Sequence, residues 1–242
     1  MEAMILIGGK GSRMAKYTQN NPKCLIDMHG KPFFYWLLKF LIKNKVKKFI
    51  LCSDINNKSI KNLIHIYNFN KDNFIFSIEK NQLGTGGAIL NALKLIKNNN
   101  FYLINGDILF DISLSKLNKI HIKNSNDLTY SLLKLENRNT NYGGIIINKY
   151  GVVKKHKNLT HNSKFSIIDS GFRIMNKNAI IAYHQTNSKL VQSFEYDIAP
   201  WLIKNKKVKG ILFNSNFFDI GNPKSYNVSK SNFQQIKSKL EI

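Results

Sequence analysis

Met4-Ile-Leu-Ile-Gly-Gly-Lys-Gly-Ser-Arg-Met14 is the stretch around which the chain is organised, with Asn21-Pro-Lys-Cys-Leu25 and His29-Gly-Lys-Pro32 close behind it. Residues Met4–Ile7 form an apolar run of the length of a short buried strand. It stops at Gly8-Gly9, and Gly11 follows after one lysine. Glycines at such a point let the backbone turn tightly and bring its N–H groups up to a ligand. Arg13 and Lys23 then supply two cations at the edge of the loop. Backbone amides and two cations together suit a polyphosphate. A glycine-rich strand-to-helix turn with no ligand would account for the glycines alone, but not for Arg13 and Pro22-Lys23 beside them.

Downstream, Phe33, Phe34, Trp36, Leu37, Phe40 and Leu41 recur at helical spacing, and this periodicity predicts a core-facing helix over 32–43. Pro32 suits its first turn. Lys48–Ser53 reads as a second strand, Lys58–Tyr67 as a helix and Phe74–Ile78 as a third strand. Alternation of this kind predicts a parallel sheet with helices on both faces. Glu79-Lys-Asn-Gln-Leu-Gly-Thr-Gly-Gly-Ala88 follows and opens into a helix over 88–97, with Thr85 as a cap in the plainest reading. Its glycines, Gly84, Gly86 and Gly87, make a second loop built for close approach. Both glycine loops therefore fall at the carboxyl edge of the sheet, where open α/β sheets bind ligands. Phe101–Ile104 is a fourth strand and ends at Asn105-Gly-Asp107, where a carboxylate is placed to hold a divalent cation. Asp111 reads as a cap for a helix over 113–123. In the second half, Leu128–Lys134, Gly144–Ile147 and Ile167–Met175 are strands without long helices between them, so antiparallel members are expected there. A helix over 196–203 and another beginning at Pro223 complete the reading.

With 242 residues the chain fits one large α/β domain, with a nucleotide-binding half over about 1–125 and a second half over about 126–242. A hydrophobic fraction of 43% with 12% aromatics is enough for a core, which excludes global disorder. No run of eighteen apolar residues is present, so no membrane span is expected. Cys24 and Cys52 are too few for a disulfide framework, and a cytoplasmic protein with free thiols is the simple reading. The formal charge of +23 raises the question of nucleic acid. Against it, the lysines are spread along the whole chain in runs of at most two, and Arg, the residue suited to reading bases, is almost absent. Heavy joint use of Asn, Ile and Lys is what an AT-rich genome imposes on permissive positions. The expectation is therefore no nucleic-acid partner.

The opening stretch resembles the signature of sugar-1-phosphate nucleotidyltransferases: Gly-Gly-x-Gly-Thr-Arg-Leu, about ten residues, Pro-Lys, then Gly-Lys-Pro. Ser12 replaces the usual Thr, Met14 the usual Leu, and the proline that commonly follows the Arg is missing. The resemblance runs from residue 5 to 226. It implies an α/β fold of the Rossmann-like glycosyltransferase-A type, with a mixed, mostly parallel sheet and helices on both faces. It further implies transfer of a nucleoside monophosphate from an NTP to a sugar 1-phosphate, with release of pyrophosphate. Carried over residue by residue, the nucleotide contacts become Leu6, Gly8, Gly9, Gly11, Ser12, Gln82, Gly84 and Thr85. Arg13, Lys23 and Asp107 take the catalytic places. Asp107, and Asp219 of Phe217-Phe-Asp-Ile-Gly-Asn-Pro223, become the ligands of Mg²⁺.

Around the sugar phosphate the resemblance implies Gly144 after Tyr142-Gly143, Asp169 and Gly171 of Asp-Ser-Gly, and Glu195 of Ser-Phe-Glu-Tyr-Asp197. The family's Glu-Lys-Pro is absent from Lys154-Lys-His-Lys-Asn158, where Lys157 is the candidate phosphate lysine and Lys155 the alternative. Among subgroups the chain most resembles the D-glycero-D-manno-heptose 1-phosphate guanylyltransferases, which implies GTP as donor and GDP-heptose for surface glycans as product. Enzymes for mannose, glucose or N-acetylmuramate 1-phosphate, or for choline phosphate, are the alternatives within the class. A glycosyltransferase or a basic nucleic-acid-binding protein would be a different class. The former should carry Asp-x-Asp after the fourth strand, where this chain has Asp107-Ile-Leu. The oligomeric state is left open, a homo-oligomer included.

Overall fold

In the computed structural model the residues described are 1–8, 12–18, 21–54, 57–135, 144–157 and 166–241, with only the backbone considered at Ser12, His156 and Lys157. In the first half, strand β1 (Glu2–Leu6) leads through a short helix α1 (Ala15–Thr18) and a ribbon of β2 (Asp27–Met28) and β3 (Lys31–Pro32) into α2 (Phe33–Lys43). Then come β4 (Lys48–Asp54), α3 (Lys58–Ile66), β5 (Phe74–Glu79), α4 (Gly84–Ala92), β6 (Asn100–Asn105), β7 (Ile108–Phe110) and α5 (Leu114–Lys123). The second half holds β8 (Leu128–Lys134), β9 (Gly144–Ile147), β10 (Val153–Lys157), β11 (Ile167–Asn176) and α6 (Lys177–Thr186). A π turn over Phe194–Ile198 runs into α7 (Ala199–Asn205), followed by β12 (Val208–Phe213), β13 (Phe217–Asp219), α8 (Pro223–Asn232) and α9 (Gln234–Glu241).

Strand alternation assigns each side chain to one of two cores. Ala3, Ile5, Phe49, Leu51, Tyr102 and Ile104 face α2, α3, α5, α8 and α9. Their neighbours Met4, Ile50, Cys52, Phe101 and Leu103 face α4, α6 and α7. Strands buried on both faces read as continuous apolar runs, which is why their positions could be taken from the sequence to within a residue or two. The expected mixed, mostly parallel sheet with helices on both faces is what the chain adopts. Its central order is β5-β4-β1-β6-β11, with the first four parallel and β11 antiparallel to β6. The long β11 also pairs with β8 and β9, and β12 adds to β8 in parallel.

Several local expectations are corrected. Ser113, not Asp111, caps α5 by accepting the Lys116 amide, while Asp111 pairs with Lys239 at 3.1 Å. Thr85 lies inside α4 rather than capping it, since α4 begins at Gly84 with no side-chain cap. That helix ends at Ala92 and passes into a single 3-10 turn. The segment expected to be helical over 196–203 is a π turn followed by α7. As expected, Pro223 opens α8, helped by a capping box between Asn222 and Ser225.

Candidate active site

Strand order reverses at β1: β4 and β5 lie to one side and β6 to the other. Open α/β sheets bind ligands in the crevice at such a switch point, beyond the carboxyl ends of the strands. Here the ends of β1 (Leu6, Ile7, Gly8) and β6 (Asn105, Gly106, Asp107) enclose a cavity of about 170 Å³ with Lys23 on its wall. A larger cavity of about 440 Å³ adjoins it, sharing Leu6, Gly8 and Thr85, and is closed by Glu79, Gln82 and Gly84. Leu6, Gly8, Gln82, Gly84, Thr85, Lys23 and Asp107 thus line these two adjoining cavities. Gly9 and Gly11 lie outside the described residues, as does the Ser12 side chain. Arg13 is exposed in the short turn before α1.

In the smaller cavity Lys23 Nζ donates to Asp107 Oδ2 at 2.5 Å. Asp219, far away in sequence, is delivered by the two-stranded ribbon of β13 and β7, which sets it opposite Ile108. The ribbon is locked where Ile220 N donates to Asp107 O at 3.0 Å. Asp219 is buried, its backbone tied to the Ser229 hydroxyl and its Oδ1 accepting the Gly221 amide at 2.6 Å. A methyl group on Gly221 would stand 2.8 Å from Asp219 Oδ1 and 3.6 Å from Asp107 Oδ2, so both carboxylates border one small space. Two carboxylates with an open side form a hard-oxygen set suited to a cation such as Mg²⁺, which fills its remaining positions with water and phosphate oxygens.

The larger cavity carries a residue whose role the sequence reading passed over. Glu79 ends β5, and its Oε2 accepts the Leu83 amide at 3.2 Å. Burial, offset in part by that bond and reinforced by nearby Asp54, pushes the Glu79 carboxyl above the usual carboxylate range. Its Oε1 lies 3.7 Å from where a Cβ on Gly8 would be, so the carboxylate sits beside Gly8 on the wall of the cavity. The glycines of α4 serve a further purpose. Gly84 has a φ of +73°, and a Cβ there would strike Gln192 O at 2.4 Å. The chain at Gln192 packs directly on this loop, accepting from Gly86 N at 2.9 Å and donating to Leu83 O at 2.8 Å.

On the other side, β11 bulges: Asp169 stands opposite Leu132 but Arg173 opposite Tyr130. Bulges re-aim side chains, and this one contains Gly171 at a φ of +77°. Asp169 Oδ1 accepts the Gly171 amide at 2.9 Å, and its Oδ2 takes Arg173 Nε and Nη2, each at 2.6 Å. Arg173, likewise absent from the sequence reading, also donates to Asn105 Oδ1 at 3.1 Å. Its Nη2 lies 3.8 Å from Glu195 Oε1, and its guanidinium covers the Phe194 ring at 4.5 Å. Burial opposes charge on Glu195, but Arg173, the residue's own amide, Ser193 and Thr85 outweigh it and hold the carboxyl below its ordinary range. Asp169, Gly171 and Glu195 are thus gathered around Arg173, beside Asn105. Gly144 is buried in β9, with Ile168 on one side and the Lys157 backbone on the other. Lys157 therefore enters two strands away from Asp169, and its side chain lies outside the description. Lys155 is exposed on β10, and Tyr142 and Gly143 are among the undescribed residues.

The family model described as nucleotidyl transferase matches residues 2–235. A D-glycero-alpha-D-manno-heptose 1-phosphate guanylyltransferase of Aneurinibacillus thermoaerophilus is 32% identical over 238 residues, 97% of this chain and 99% of the relative. The enzyme of the same name from Campylobacter jejuni is 31% identical, covering 93% of this chain and 97% of its own. Among solved structures, HddC from Yersinia pseudotuberculosis superposes with a TM-score of 0.83 at 30% identity, over 96% of this chain and 99% of its own. The same protein has also been solved in complex with GMP-PN, with a TM-score of 0.82 against this chain.

Proposed function

The chain belongs to the nucleotidyl transferase family, and from that premise we propose that it joins GMP from GTP to D-glycero-D-manno-heptose 1-phosphate, releasing pyrophosphate. The observation that carries the choice of base is Glu79. Guanine offers two adjacent donors, N1–H and the exocyclic amine, to which a carboxylate can present two acceptors in parallel. Uracil and thymine set two carbonyl oxygens beside a single N–H, and those oxygens would be repelled by the same carboxylate. Cytosine and adenine each place an acceptor next to their amine. The sugar is taken from the two relatives named above, which match 97% and 93% of this chain.

In this reading an oxygen of the sugar phosphate attacks the α-phosphorus of GTP in line, and the bond to the bridging oxygen of pyrophosphate breaks. Positioning and charge neutralisation carry reactions of this kind, so no protein nucleophile is needed. The loop after β1 cradles the triphosphate, with Arg13 and Lys23 placed against the charge that grows on the α-phosphoryl oxygens and the leaving group. Asp107 and Asp219 hold the divalent ion, for which we propose Mg²⁺. When bound, it would neutralise the α-phosphate. Lys157 meets the sugar phosphate, and Glu195 accepts from sugar hydroxyls. We further assign the enzyme to the cytoplasm, with no nucleic-acid partner. No helix among the described residues is long and apolar enough to cross a membrane.

The test is pyrophosphate release from each of the four common NTPs and dTTP against a panel of sugar 1-phosphates and choline phosphate, with products identified by mass spectrometry. GDP-heptose as the fastest product is the expected result. A preference for UTP, CTP or dTTP would refute the role given to Glu79, and a preference for another acceptor would refute the heptose assignment.

A further inference from the structure

Resting on the nucleotidyltransferase reading above, we propose that Arg173 is a positioning residue that fixes the Glu195 carboxylate for the hydroxyls of the sugar phosphate, while never touching the substrate itself. The side chain of Arg173 is only 3% exposed, and its guanidinium is consumed on Asp169 and Asn105. Asp169 is equally committed, with both oxygens accepting internal donors and 6% of its side chain exposed. Asp169 therefore anchors Arg173 instead of meeting a sugar. Glu195 differs, being 29% exposed. Its Oε2 accepts from Thr85 Oγ1 at 3.1 Å and Ser193 Oγ at 3.0 Å, whereas its Oε1 is steered by the guanidinium at 3.8 Å. A carboxylate pinned on one oxygen and steered on the other keeps its remaining lone pairs in one direction, which is what acceptance from sugar hydroxyls needs.

The residue type matters. A guanidinium can bond Asp169 through two nitrogens, reach Asn105 with a third and still cover the Phe194 ring; an ammonium cannot do all four. The third partner, Asn105, ends β6 and fixes the guanidinium to the carboxyl edge of the sheet. Thr85, which holds Glu195 from the opposite side, lines both nucleotide cavities.

Arg173→Met alone would strand Asp169 buried and unpaired, so the decisive variant is the double Asp169→Asn/Arg173→Met, with Arg173→Lys as the conservative partner. Thermal melts and circular dichroism establish folding. KM is then measured for sugar 1-phosphate at saturating GTP, and for GTP at saturating sugar 1-phosphate. In the folded double variant, KM for the sugar phosphate should rise about ten- to a hundredfold, the size of one charge-assisted hydrogen bond lost. KM for GTP should stay within about twofold, as for an interaction that the nucleotide does not share. Arg173→Lys should fall between the double variant and wild type. An unchanged sugar-phosphate KM, or both KM values rising together, would overturn the assignment, since a merely structural Arg173 would not split them. The substrate reading is judged on wild type alone, and Arg173 on variant-to-wild-type ratios with whichever sugar phosphate wild type turns over, so the two fail separately.

Discussion

Glu79→Gln replaces one carboxylate oxygen by an amide nitrogen in a side chain of nearly equal size, leaving the cavity at the end of β5 its shape. The amide oxygen can still accept the Leu83 N–H that now meets Oε2 at 3.2 Å. What changes is the face turned toward Gly8, which loses an acceptor and gains a donor. Against guanine, that donor meets N1–H or the exocyclic amine, so one charge-assisted hydrogen bond is lost and a donor is left unpaired. Such a loss costs about 1.5–3 kcal/mol, or about 10- to 150-fold in kcat/KM for GTP at 1.36 kcal/mol per decade. The direction reverses for uracil, because an amide matches an N–H flanked by carbonyls, so kcat/KM for UTP should rise. Folding should not suffer, since burial already raises the carboxyl pKa of Glu79 and a neutral isostere relieves that strain on the charge. The assay is steady-state pyrophosphate release with GTP and UTP at saturating sugar phosphate, alongside a thermal melt. A folded variant whose GTP-to-UTP ratio stays within about threefold of wild type, well below the loss of one such bond, would refute the assignment of Glu79 as the base reader.

Three further outcomes are expected. Asp107→Asn should abolish most turnover while moving the melting temperature by only a few degrees, because the Lys23–Asp107 pair is partly exposed and pairs of that kind are worth about 1 kcal/mol or less; a stable, active variant would remove Asp107 from the site. Lys23→Ala should lower kcat by about a hundredfold, whereas Lys157→Ala should raise KM for the sugar phosphate with little change in kcat. The reverse pattern would exchange their roles, and a silent Lys157→Ala beside an impaired Lys155→Ala would move the phosphate contact two residues back. His121, buried with its Nδ1 on the Thr129 hydroxyl, has its pKa lowered by burial from 6.5 to about 4. The unfolded chain therefore binds the proton first, and stability should fall as pH drops from 6.5 toward 4. At about 1.4 kcal/mol per unit the loss approaches 3 kcal/mol. Urea midpoints against pH for wild type and His121→Leu check this, and equal slopes would exclude His121 as the cause.

Three of the four parallel strands, β1, β4 and β6, could be read from the sequence because each has an apolar, doubly buried centre bounded by polar residues, whereas the edge strand β5 was legible from its alternation. The same logic hid β7, which is three residues long and gains meaning only by pairing with β13, the short apolar strand that ends at Asp219. That pairing is what carries Asp219 to Asp107; the motif nominated both carboxylates, but no spacing along the chain could say that they share a space. β10 was hidden for another reason: three of its five residues are lysines, and pairing with β9 rather than burial makes it a strand.

Arg173 shows where a sequence stops being informative about a site. Inside Ile167–Met175 Arg173 interrupts the apolar run Phe172–Met175, and that break was the one available signal. Its significance depends on a bulge that turns the side chain toward Asp169, and on the approach of Glu195 from a segment beyond α6. The glycines in the first turn of α4, expected from the sequence to form a loop before the helix, teach the complementary lesson. A missing Cβ permits close approach by a ligand or by the chain itself, and the sequence cannot distinguish the two. At Gly84 the atom in the way would be Gln192 O, and at Gly87 it would be Leu190 O at 2.6 Å. The loop that lines the base cavity is therefore clamped to the segment that presents Glu195, with Thr85 bonded to both Phe194 N and Glu195. Substituting either glycine by alanine would push that segment off the loop and displace Glu195 along with the wall of the base cavity. The sites for the two substrates share one mechanical support, so damage to it should weaken GTP and sugar phosphate together, in contrast to the separation of the two KM values expected at Arg173.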